Sequence, residues 1–135
     1  MKNLPASSKV YISKSKIPNS GRGVFALGNI KKNEIIEKCP VIEVPEHDVS
    51  NLRESILVTY FYFFGKDKKK SLIALGFGSI YNHSYSPNAV YKIKNAEKTI
   101  DFIALNDIKK DDEIAVNYKG QDSKNNNPLW FEVLI

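Results

Sequence analysis

Gly78 to Tyr91 reads GSIYNHSYSPNAVY. It sets Asn82, His83, Ser84, Pro87 and Asn88 between apolar flanks and holds one of only two histidines in the chain. Asn, Ser and Pro are turn formers, each with its own mechanism. A histidine among them is open to three readings: metal ligand, base, or hydrogen-bonded core residue. His47, the other histidine, lies near a helix start beside Glu46 and Asp48. No spacing argues that the two meet in a two-histidine, one-carboxylate site.

Outward from this stretch the chain reads as short strands. Lys9–Ser13 alternates, IPNSGRG breaks it, and Val24–Leu27 resumes. Ile35–Val44 extends until Pro45. EHDVSNLRESILVTY is the one stretch with helical character, with Ser50 or Asn51 as its expected cap. Val90–Lys94 and Thr99–Leu105 flank NAEK as a hairpin, and Glu113–Tyr118 is a last strand. A polar linker, KGQDSKNNNP, then leads to the apolar end LWFEVLI. FALGNIKKNEII resembles IALNDIKKDDEIAV; the simple explanation is one turn chemistry used twice.

The chain has 135 residues, the size of one domain, with 42% hydrophobic and 26% charged residues. Its single cysteine, Cys39, rules out an intrachain disulfide and a zinc cluster built on several thiolates, and fits a reducing compartment. The amino terminus has no apolar core of a secretory signal. The longest apolar run, Ile56–Phe64, falls far short of the ~20 residues of a membrane helix. We therefore expect a cytoplasmic protein with no membrane association. The net charge of +5 is spread along the chain. KDKKK, Lys66–Lys70, reads as a solvated loop tip, because no aromatic residues interleave with the lysines to stack bases. Nucleic-acid binding is not expected.

SGRGVFA brackets Arg22 with two glycines, which lets backbone approach a ligand closely, but it lacks the third glycine of a dinucleotide fingerprint. No GK[ST] loop and no nucleophile elbow occurs.

SGRGVFA, GSIYNHSYSPNAVY and KKDDEIAVNYKG come in the order and approximate spacing of the SET domain. The chain resembles the SET-family protein-lysine methyltransferases, especially short viral and bacterial members without zinc-binding flanks. The likeness runs from about Tyr11 to Phe131, and N-H-S-x-x-P-N is its specific motif. It implies a mostly β fold, a β-clip of several small sheets with a threaded, pseudoknotted C-terminal segment and one or two short helices. One domain over 1–135 is expected, with a core of about 11–118 and a closing segment of about 119–135.

The resemblance further implies S-adenosylmethionine as methyl donor, with S-adenosylhomocysteine as product and the ε-amine of a protein lysine as acceptor. By the same likeness Ser20, Gly21, Arg22 and Gly23 match the donor-binding turn, and Asn82 and His83 the pair beside it. Tyr118 matches the catalytic tyrosine, Tyr91 and Tyr60 or Tyr62 the lysine channel, and Trp130 and Phe131 the aromatics that close over the donor. No metal is implied. Partners implied are the protein substrate and, for completing the channel, a possible second copy of the chain. The alternative is a non-catalytic β-clip module that binds a ligand without turnover.

Overall fold

Two hairpins that exchange their third strands organise the molecule, described here for residues 3–64 and 70–119 of a computed structural model. β1 (Val10–Lys14) and β2 (Arg22–Ala26) form the first hairpin; β7 (Ala89–Lys94) and β8 (Thr99–Ala104) form the second. β3 (Ile35–Val44) follows the first hairpin but pairs with β8, Ile35 opposite Ile103. β9 (Glu113–Val116) follows the second but pairs with β2, Phe25 opposite Glu113.

The turns that carry out this exchange are NIKKNE and DIKKDD, and they bind each other reciprocally. Ile30 N–H donates to the Ile108 carbonyl at 2.8 Å and Ile108 N–H to the Ile30 carbonyl at 2.7 Å. Lys32 N–H donates to Asp107 Oδ1 and Lys110 N–H to Asn29 Oδ1. Asn33 and Asp111 occupy the same place in each turn with φ of 71° and 69°, a region that Asn and Asp tolerate better than other side chains. The sequence echo is thus more than one turn used twice: the two copies are the two halves of a local pseudo-twofold. Ile30 and Ile108, each 2% exposed, anchor it.

Three shorter strands complete the two sheets. β4 (Phe61–Phe64) and β5 (Lys70–Ala74) extend the second to the order β4-β5-β3-β8-β7. β6 (Asn82–His83) closes the first, β1-β2-β9-β6, by a parallel pairing of Asn82 with Ala115 and His83 with Val116. Between the sheets lie Val24, Ile36, Cys39, Ile100, Phe102 and Ile114, each at most 1% exposed. Fully burying each of the larger ones stabilises the fold by about 1.5–3 kcal/mol.

The expected helix is broken into pieces: a 3-10 turn at Glu46–Asp48, α1 at Val49–Arg53 and another 3-10 turn at Ile56–Thr59. Ser50 and Asn51 lie inside α1, whose cap position is Asp48, so they do not cap it. Ser55 caps the following turn instead, accepting from Leu57 N–H at 3.1 Å. Only Leu52 in this stretch is buried, too little apolar area to hold a longer helix. The last strand likewise stops at Val116 rather than Tyr118, because Asn117 Oδ1 accepts the Lys119 N–H and turns the chain out of the sheet. Among the described residues no helix is long and apolar enough to cross a membrane.

Candidate active site

The β6–β9 pairing brings Asn82 and His83 beside Tyr118. Tyr118 N–H donates to His83 Nδ1 at 2.9 Å, and the two rings lie 5.1 Å apart. Since Nδ1 is the acceptor, the proton of the neutral ring sits on Nε2. That Nε2 is buried and has no hydrogen-bond partner. Burial first, and then the charge of Lys119, lower the imidazole pKa to about 4. His83 is therefore a neutral donor at neutral pH, not a base.

The cavity at this junction has a volume of about 450 Å³. One wall is the β1–β2 loop, including Ser20, Gly21 and Arg22. The opposite wall carries Asn82, His83, Tyr118 and Tyr60. The loop owes its shape to Asn19 and Gly21, with φ of 61° and 65°, and to the Ser15 N–H bond to the Gly21 carbonyl. A side chain added at Gly21 would meet nothing, so its glycine answers to backbone conformation alone.

Gly23 is not on the cavity wall and is glycine for another reason. A Cβ there would collide with the Glu113 carboxylate and stand 3.1 Å from Asn82 Nδ2. Those two groups form a latch under the loop. Glu113 accepts from Ser15 Oγ, from Lys16 N–H at 2.8 Å and from Asn82 Nδ2 at 3.0 Å. Asn82 Nδ2 also donates to the Arg22 carbonyl at 3.0 Å, and two acceptors of this kind fix which end of the amide is nitrogen. Asn82 thus spends its donors on the loop and β9.

Tyr118 is held from both ends. Its hydroxyl donates to the Tyr81 carbonyl at 2.6 Å, and its carbonyl accepts from the Tyr91 hydroxyl at 3.0 Å. Tyr91 packs edge-on against Tyr62 at 4.8 Å, and the Tyr62 hydroxyl donates to the Gly78 carbonyl at 2.9 Å. Tyr60 faces the cavity, whereas Tyr62 and Tyr91 stand behind Tyr118. Burial raises the phenol pKa of Tyr62 and Tyr118 well above the ordinary value and pushes that of Tyr91 up to about 12. All three stay protonated at neutral pH.

Trp130 and Phe131 lie outside the described residues. Among the described residues no group of three or more His, Cys, Asp or Glu is placed to hold a metal ion. Sequence reading missed Glu113 as the latch. Its three partners lie on the β1–β2 arm and on β6, far off in sequence, and nothing local marks it.

The SET-domain family model matches residues 21–119. The chain is 33% identical over 113 residues to a Schizosaccharomyces pombe histone-lysine N-methyltransferase specific for H3 lysine-37, covering 83% of this chain and 71% of the relative. Among solved structures, a Plasmodium falciparum protein described as a candidate histone methyltransferase is 41% identical, with a TM-score of 0.66 over 82% of this chain and 92% of that one. An active polycomb repressive complex 2 in its basal state is 26% identical, with a TM-score of 0.70 over 83% of this chain and 15% of that one. The same complex in an autoinhibited conformation bound to S-adenosylmethionine is 22% identical with a TM-score of 0.69, which shows the fold alone. With a family model spanning most of its length and a curated relative a third identical, this chain belongs to the SET-domain family of S-adenosylmethionine-dependent protein-lysine methyltransferases.

Proposed function

We propose that Tyr118 is the catalytic residue, that the β1–β2 loop with His83 holds the methyl donor, and that a lysine side chain enters past Tyr60, with Tyr62 and Tyr91 setting the room behind. One observation carries this reading: the Tyr118 hydroxyl is fixed on the Tyr81 carbonyl at the wall of the cavity that the glycine loop closes from the other side.

The residues present fit the donor. The buried Nε2–H of His83 lacks a partner, and such a group calls for an acceptor from a ligand. Ser20, Gly21 and Arg22 offer backbone and a cation to the carboxylate end, while Asn82 and Glu113 shape that loop from beneath. When bound, S-adenosylmethionine supplies a methyl group on a positively charged sulfur.

The chain's own contribution begins with the proton on the substrate amine. Losing it at pH 7 from a free lysine of pKa ≈ 10.4 costs about 4.6 kcal/mol, ~3.4 units at 1.36 each. The burial that keeps Tyr62, Tyr91 and Tyr118 protonated equally disfavours an ammonium beside them, which lowers that cost. Tyr118 is a neutral phenol rather than a phenolate base. A phenol that donates its one hydrogen keeps acceptor capacity on its oxygen, suited to orienting an entering amine. Alignment of two reactants in one cavity can supply roughly 7–11 kcal/mol.

We read the chain as one domain over 1–135, with a core of about 11–118. The resemblance assigns closure of the site to about residues 119–135, from this chain or from a second copy, with Trp130 and Phe131 as the aromatics over the donor; residues 120–135 lie outside the described residues. The lone cysteine supports a reducing compartment, the cytoplasm. Core histones are the first substrate to try, since the Schizosaccharomyces pombe relative is named for histone H3. The test is labelled-methyl transfer from S-adenosylmethionine into core histones and cell extract. Incorporation into lysine supports the enzyme; donor binding by calorimetry with no transfer anywhere would leave a binding module.

A further inference from the structure

Glu37 is a carboxylate near the start of β3, 6% exposed, in the part of the strand that also buries Ile36 and Cys39. It holds both ends of one short segment. Its Oε2 accepts from Phe77 N–H at 3.0 Å, and its Oε1 accepts from the Tyr81 hydroxyl at 2.8 Å. The residues between those anchors face the site. Ser79 and Ile80 line the cavity, the Gly78 carbonyl receives the Tyr62 hydroxyl, and the Tyr81 carbonyl receives the Tyr118 hydroxyl.

The fit around Glu37 is tight. Gly76, at φ 60°, leaves no room for a side chain, since a Cβ there would stand 2.6 Å from Glu37 Oε2. The Tyr81 ring is stacked on Phe102 at 4.1 Å and cannot swing to a new acceptor without breaking that contact. A group buried this deeply and shared between a backbone amide and a phenol is costly to build, so it points to a task beyond filling space.

We propose that Glu37 is a positioning residue for methyl transfer: by bracketing Phe77 and Tyr81 it sets the two backbone carbonyls that orient Tyr118 and Tyr62. This rests on Tyr118 being the catalytic group. Glu37 touches neither substrate nor donor, and the donor-side latch of Asn82 and Glu113 is separate from it. Its loss should therefore reach turnover and product distribution while sparing the donor.

The test compares the parent protein with Glu37→Gln, Tyr81→Phe and the double variant. In Glu37→Gln one oxygen becomes an amide nitrogen, so either Phe77 N–H or the Tyr81 hydroxyl loses its acceptor. Readouts are donor affinity by calorimetry, label incorporation into whole-cell extract at saturating donor, and the ratio of mono-, di- and trimethyllysine in the labelled proteins. The expected result is incorporation at least ten-fold slower, a changed methyl ratio and donor affinity within about three-fold of the parent. Tyr81→Phe should act in the same direction more weakly, and the double variant should be no worse than Glu37→Gln. A folded Glu37→Gln with parental rate and methyl ratio overturns the proposal, as does equal loss of donor affinity and rate. Should Glu37→Gln fail to fold, a Tyr81→Phe protein with parental rate and ratio overturns it alone. A parent that labels nothing in the extract sinks the catalytic reading of Tyr118 instead.

Discussion

The Tyr118 hydroxyl rests on the Tyr81 carbonyl at 2.6 Å, and its backbone N–H is tied to His83 Nδ1 at 2.9 Å. One residue therefore joins the chain just past β9 to both residues that flank Asn82. Replacing Tyr118 by Phe removes the hydroxyl and leaves the backbone tie. Turnover should fall about 100-fold or more, the usual effect of deleting a positioned polar group at the reacting centre. Donor affinity measured by calorimetry should stay within about three-fold, and unimpaired turnover would remove Tyr118 from its role.

Gly23 tests the latch below the β1–β2 loop. In Gly23→Ala the new methyl meets the Glu113 carboxylate and Asn82 Nδ2, so the two must separate. Overpacking of this kind costs about 1–3 kcal/mol. We expect a lower melting temperature together with donor binding weakened ten-fold or more. Gly23→Ala with parental donor affinity would show that the latch does not shape the loop.

His83 gives a pH signature. Its folded pKa of about 4 lies below the ordinary 6.5, so the unfolded chain takes up a proton first as pH falls. The stability that a neutral His83 contributes is complete above about pH 6.5 and is lost between there and about pH 4. Melting temperature against pH should show this decline, and it should flatten in His83→Gln, whose amide oxygen can still accept the Tyr118 N–H. A decline of parental steepness in that variant would assign it to other groups.

Tyr91 lies behind the Tyr118 ring rather than on the cavity wall. In Tyr91→Phe the Tyr118 carbonyl loses its donor and the space beside Tyr62 grows by one hydroxyl. The number of methyl groups added per lysine should rise, as read by mass spectrometry of labelled proteins. An unchanged distribution would place Tyr91 outside the channel.

Ile108 reports on the pseudo-twofold. Ile108→Ala deletes an anchor 2% exposed at the crossing of the two turns, and should destabilise by about 2–5 kcal/mol in urea unfolding. A loss under 1 kcal/mol would mean that the backbone pair with Ile30 holds the crossing by itself.

Local pattern was enough to mark most elements. The extended run Ile35–Val44 became β3 with the same bounds, and NAEK became the turn of the second hairpin, because alternation and turn formers act over a few residues. The stretch after Pro45 was misjudged as one capped helix, since a single buried leucine gives it no face to dock. The N-H-S-x-x-P-N motif and Tyr118 were legible as residue types with a known resemblance behind them.

Which groups those residues would touch depended on long-range partners. Glu113 beneath Gly23, Glu37 around Phe77 and Tyr81, and the reciprocal binding of the two Ile-Lys-Lys turns each join segments distant along the chain. The sequence by itself determined strands, turns and the family motifs, since these follow from short-range sterics and periodicity. Only the tertiary structure decided that two echoing turns exchange strands and that two carboxylates clamp the site, because hydrogen bonds and close packing between distant segments exist only once the chain has folded.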